Sequence, residues 1–188
     1  MKKFLKMFII AGFVLYFNAN SFAKTDLAVW GGYIFAGNVK YSDISDINED
    51  FTGTQCGFKA HYYIELSQSV DLGLGPFYQN AIFRSEEIGG FNATRNSLGV
   101  DFNFLFSIPS TPGFSPYLRA VYFFHDKLDF GYMSGKGYGI GIGCGAEFAI
   151  TKTIRLFWEF MQEPPNWKGS GSSTEIINAA FNMGIKFM

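Results

Sequence analysis

Between Gly135 and Gly145 a glycine stands at every second position of the stretch "GKGYGIGIGCGAEFAI" (135–150). Glycine-dense runs cradle phosphates where backbone N–H groups approach an anion at the start of a helix, and that chemistry uses the spacing G-x-G-x-x-G or G-x-x-x-x-G-K-[ST]. Here the spacing is strictly two and no helical pattern comes after it, so the run builds no nucleotide site. Other chemistry-bearing residues are sparse. His125 and Asp126, with Ser134 a short way on, form the one set that resembles an acid–base or acyl-transfer group. Neighbours on a strand point to opposite faces, so the pair is not a ready dyad. His61 and His125 stand far apart, as do Cys56 and Cys144, which gives neither a metal-ligand spacing nor a disulfide framework. The stretch "YSDISDINEDF" (41–51) is acidic through Asp43, Asp46, Glu49 and Asp50 but lacks the spaced ligands of a Ca²⁺ loop. These residues predict no catalytic group, no cofactor and no metal.

The composition points to a different kind of protein. The formal net charge is −1, which offers no field to recruit nucleic acid. Charged residues are 16% of the chain against about a quarter in soluble domains, while aromatics reach 19%. The 188 residues suffice for one domain behind a leader. Lys2, Lys3 and Lys6 precede the apolar run "MFIIAGFVLYF" (7–17), and "NANSFA" comes next with small residues at Ser21 and Ala23. This pattern predicts a signal peptide over 1–23, cleaved before Lys24, and a mature domain over 24–188. After residue 23 no apolar run approaches the roughly 20 residues of a membrane helix. The mature chain is either soluble outside the cytoplasm or crosses a membrane as strands.

Period-two alternation runs through it. In "SLGVDFNFLFSI" (97–108), Leu98, Val100, Phe102, Phe104, Phe106 and Ile108 share one face. Ser97, Gly99, Asp101, Asn103 and Ser107 share the other, with Leu105 the exception. Residues i and i+2 of a strand lie on one face, so this is a two-faced strand. "TQCGFKAHYYIELS" (54–67), "IRLFWEF" (154–160), "INAAFNMGIKF" (177–187), "PYLRAVYFF" (116–124) and the glycine run repeat the pattern. "LAVWGGYIFAGNVK" (27–40) has blurred faces, and "VDLGLGPFYQNAIF" (70–83) carries Pro76 inside it. Short connections ("SQS", "PSTPGFS", "TKT") alternate with longer polar ones ("YSDISDINEDF", "RSEEIGGFN", "HDKLDFGYMSG", "PPNWKGSGSS"), as in an up-and-down meander. The expected fold is all-β: an eight-stranded antiparallel barrel with both termini at the short-turn end.

Volume decides which face is inside. The lumen of an eight-stranded barrel holds a modest set of side chains. The apolar face carries more Phe, Tyr, Trp, Leu and Ile than would fit, whereas the other face is rich in glycine. The apolar face therefore points outward into lipid, where only a closed barrel satisfies the backbone of an all-strand chain. Lys59, Arg95, Arg119, Arg155 and Lys186 then face the lumen with Glu65, Asp71, Asp101, Glu147 and Glu159. Buried charges must pair. The "SQS" turn sets Glu65 beside Asp71, so a cation from Arg119, Arg155 or Lys186 is expected to reach them. His61 is expected to hydrogen-bond within the lumen, and Cys56 and Cys144 to remain free thiols on the lipid face.

The leader, the alternating strands, the long connections at one end and a last strand ending in Phe187 resemble the small outer-membrane barrels of the OmpX/OmpA type over residues 25–188. "FNMGIKFM" resembles the C-terminal signal read by the barrel-assembly machinery, with Met188 after the Phe. The resemblance implies a monomer in the bacterial outer membrane, with membrane lipids and that machinery as partners. It also implies a structural or surface-binding role through four outer loops, in envelope integrity, adhesion or binding of an extracellular ligand or host protein. A lipid-modifying enzyme and a narrow ion-conducting pore are the alternatives.

Overall fold

The computed structural model describes residues 24–41, 48–84, 92–129, 134–163, 166–168 and 173–188; the leader and most of the first, second and fourth polar connections lie outside them. The strands are β1 (Thr25–Tyr41), β2 (Asn48–Ser67), β3 (Val70–Arg84), β4 (Asn92–Phe106), β5 (Phe114–Asp129), β6 (Ser134–Ala149), β7 (Ile154–Glu163), β8 (Asn166–Lys168) and β9 (Ser173–Phe187). Each pairs antiparallel with its neighbours, and β1 pairs with β9 as well as β2, so the sheet closes. Ile142 pairs with Gln162 on β7 and Tyr138 with Asn166 on β8, one continuous register. β7 and β8 are therefore one stave, and the barrel has eight.

The faces divide as volume requires. Ile140 is 58% exposed and Met183 61%, and Leu118, Phe124, Phe160 and Ile185 also point outward. Arg119 is 3% exposed and Glu159 0%. On β6 the outward apolar run from Tyr138 to Phe148, at about 3.3 Å per residue and a tilt near 40°, covers roughly the 25 Å apolar band of an outer membrane. Staves of 15 to 20 residues in β2, β3 and β4 exceed that need. The surplus lies at the loop end, where much of what the sequence presents as polar connection is strand. β5 continues to Asp129 and β6 begins at Ser134, inside the expected loop 125–135.

Apart from a register shift at the β2–β3 turn, two irregularities among the described residues shift the alternation. Phe35 and Ala36 are both exposed, and the registers with β2 and β9 slip there, so Ile34 and then Gly37 face inward. Phe124 and His125 form a second bulge, after which Asp126 and Leu128 face inward. A bulge adds one residue and reverses the phase of the residues beyond it. Pro76 has no N–H to donate. It stays in register with Val100 on β4, while Gly75 and Pro76 have no Cα partner on β2.

Inside, glycines face bulk. A Cβ on Gly145 would lie 2.7 Å from the Tyr117 ring, and one on Gly141 would lie 3.2 Å from both Phe123 and Glu163. Trp30, Tyr63, Phe77, Tyr117, Phe123, Phe157 and Met161 belong to one interior cluster. Ile34, Phe51, Phe83 and Leu128 belong to a second. The interior is thus part aromatic, which the blurred faces of 27–40 and 70–83 conceal in the sequence. Cys56 and Cys144 are free and exposed on the outer wall. Gly145→Val would set a Cβ against the Trp158 carbonyl oxygen as well as against Tyr117, so backbone and ring must both shift, at an expected cost of about 3 kcal/mol. The temperature at which the compact, unboiled gel form disappears should fall for that variant, while Cys144→Val on the opposite face should leave it unchanged.

Candidate functional site

Strand alternation carries charged side chains from all eight staves inward, where most of them are buried. Burial of a single unpaired ion there is prohibitive, so the charges are found in contact. Arg119 is the central cation. Its Nε donates to Asp101 at 2.8 Å, and its Nη1 donates to Glu159. Lys59 donates to the other Glu159 oxygen at 3.1 Å, and the Tyr117 hydroxyl donates to that oxygen at 2.9 Å. Lys186 joins Asp26 at 2.9 Å, touches Glu147, and donates to the Tyr63 hydroxyl at 2.8 Å. Arg155, nearer the turn end, lies 3.6 Å from Glu147. His61 sits between two carboxylates, with Nδ1 2.9 Å from Asp26 and Nε2 3.5 Å from Asp101.

Nearer the loop end, Arg95 lies between Asp126 at 2.9 Å and Glu163 at 2.5 Å, and the Ser97 hydroxyl donates to Asp126 at 2.7 Å. Amides join the two groups. Gln79 donates to Glu163 and to Gln55, Gln55 to Asn182, and Asn182 to Glu159. The cations also lie over ring faces: Lys59 4.6 Å from the Phe157 centroid, Arg119 4.8 Å from Phe77 and Arg95 4.8 Å from Phe123. Each such contact adds a fraction of a kcal/mol to about 2 kcal/mol when desolvated.

Of the charges read from the sequence, Lys59, Asp101, Arg119, Glu147, Arg155, Glu159 and Lys186 meet in one cluster, and Arg95 anchors the other. Glu65 and Asp71 are register partners, as the short turn requires. The expected cross-lumen cation does not reach them. Asp71 is answered at 3.3 Å by Lys24, whose side chain is 70% exposed, and Glu65 is exposed. Arg119, Arg155 and Lys186 are already held by closer carboxylates. Asp26, Asp126 and Glu163 complete the network, and residue order alone does not place them in the lumen. Asp26 shares the parity of Ala28 and Trp30 and stands one residue before the expected strand; the other two lie in strand that the sequence presents as loop or loop edge. His125 points outward and Asp126 inward, so they form no dyad, and the Ser134 side chain lies outside the described residues.

At the loop end a cleft of about 740 Å³ is lined by Tyr33, Phe35, Phe51, Arg84 and Asn178, among others. The Asn178 amide is buried and makes no hydrogen bond among the described residues.

No protein-family model matches the chain, and no curated protein does. Solved structures do. The chain is 14% identical to neisserial surface protein A, NspA, over 88% of its own length and 97% of that chain, with a TM-score of 0.60. With the outer membrane protein OprG from Pseudomonas aeruginosa the identity is 11%, the coverage 88% and 96%, and the TM-score 0.54. With the outer membrane protein AlkL, solved in lipid bilayers, the corresponding values are 13%, 87% and 89%, and 0.54. The fold is that of the small outer-membrane β-barrels. At such identity the match rests on architecture alone.

Arg119→Leu would leave Asp101 and Glu159 buried without their guanidinium, an expected loss of about 3–5 kcal/mol. Urea unfolding from lipid vesicles should show it, and Glu65→Gln at the exposed turn end should stay within about 0.5 kcal/mol of the parent.

Proposed function

We propose that the chain is an integral protein of the bacterial outer membrane with a plugged lumen. It is exported by the 1–23 leader, inserted through its last strand by the barrel-assembly machinery, and works as a monomer. Its task is structural or surface-binding, in envelope integrity, adhesion or host contact, and is carried out at the loop end. The observation that supports this most is the joined ion and amide network from Arg155 to Glu163, flanked by aromatic rings. An ion crossing the barrel would have to break several buried pairs, each costly to separate. The loop-end cleft, beside an Asn178 amide that has no hydrogen-bond partner among the described residues, supports binding at that end.

A lipid-modifying enzyme is less favoured, because His125 and Asp126 project to opposite sides of the wall. Purified protein in planar bilayers should show no discrete conductance steps; a stable ohmic channel would remove the plugged-lumen reading. Alanine at His125 and at Ser134 should leave the lipid profile of the host membrane unchanged, and a changed acylation pattern would restore the enzyme.

A further inference from the structure

The outer wall changes character abruptly at the loop end of β5, β6 and β8. On β6 the outward positions are apolar from Phe148 up to Tyr138, which is 57% exposed, and the next outward residue is Lys136. On β5 they are apolar through Tyr122 and Phe124, and the next are His125 and Lys127. Lys127 is the register partner of Lys136, and Lys136 that of Lys168 on β8. Three lysines thus occupy directly opposed positions on three adjacent staves. Like charges directly opposed across a sheet destabilise it unless a counter-charge answers them. One counter-charge is Asp129, 3.4 Å from Lys127, with both side chains well exposed. Register places the row immediately beyond the apolar wall, the depth at which lipid phosphates lie and lysines extend toward them.

We propose that Lys127 and Lys136, with His125 beside them, bind the phosphate of a lipid headgroup in the outer leaflet. The acyl chains of that lipid run down the wall formed by Tyr138, Ile140 and Phe124. This rests on the membrane-spanning orientation proposed above and adds a ligand class to it. One feature the barrel leaves unexplained, the outward His125, falls into this one patch. A headgroup phosphate would bridge staves whose lysines otherwise repel, so occupancy stabilises the loop end of the barrel as well as holding the lipid.

The test uses the full mature chain in neutral-detergent micelles, titrated with a fluorescent bis-phosphorylated glycolipid and read by anisotropy. Each lysine near an anionic headgroup contributes about 1 kcal/mol, so K127Q/K136Q should weaken binding roughly thirtyfold. Both positions are exposed, and the variant should keep the compact gel form of the parent. Asp129→Asn removes the competing carboxylate and should tighten binding; a merely structural row would not respond in that sense. Lys152→Gln, at the turn end, should change nothing. Equal affinity of K127Q/K136Q and parent would overturn the site. So would loss of the glycolipid to equimolar inorganic phosphate, which would make it a free-anion site. Because the micelle assay does not depend on where the protein resides, fractionation away from the outer membrane would sink the proposed location without deciding the site.

Discussion

Backbone hydrogen bonds set the terms for this molecule. In hydrocarbon no water accepts from an N–H or donates to a C=O, so an all-strand chain must return its last strand to its first. β1 pairs with β9 from Leu27 to Tyr41, and the gap between β7 and β8 does not shift the register on either side. Once the sheet is closed, alternation sends half the side chains into a narrow lumen and half onto the wall. The outward half has to be apolar because its surroundings are. The inward half has to be small or mutually satisfied because its space and its dielectric constant are limited.

The glycines and the ions answer the same restriction. Gly141 and Gly145 leave room for Phe123 and Tyr117, and those rings in turn lie near Arg95 and Lys59. Rings exclude water from the pairs and strengthen them, while the pairs satisfy each other and spare the rings a bare charge. Neutralisation is local. Asp26, Asp101, Glu147 and Glu159 are met by Lys59, Arg119, Arg155 and Lys186, with the His61 ring set between two of the acids. The wall above the apolar band carries charge of another kind, with Lys127, Lys136 and Lys168 at opposed register positions and Asp129 3.4 Å from Lys127.

Much of this was legible from residue order. The β4 pattern from Leu98 to Phe106 alternates except at Leu105, and its burial alternates throughout. Stave number, orientation and most of the lumen cations follow from parity and volume. The rest depended on events that parity cannot register. The bulge at Phe35 and Ala36 reverses the phase of β1 midway, so counting positions across it blurs both faces. The bulge at Phe124 and His125 turns Asp126 inward, where simple continuation would put it in lipid. Strand ends were obscured because polar residues beyond the apolar band look the same in an extended barrel and in a loop. Lys24 was invisible as a partner for Asp71 because it stands at the predicted cleavage point rather than on a strand. The architecture also identifies no ligand, since at 11 to 14% identity the similar barrels share a scaffold and few side chains.

The orientation of the wall is tested most directly by the tryptophans. Trp158 lies on the outward face of β7 and Trp30 is buried inside β1. Two single-tryptophan proteins, each with the remaining tryptophans changed to Phe, should be reconstituted in vesicles whose acyl chains carry bromine. Strong quenching of Trp158 with Trp30 nearly untouched is the predicted result. Quenching of Trp30 with Trp158 spared would mean that the barrel is turned the other way and that its ions face outward.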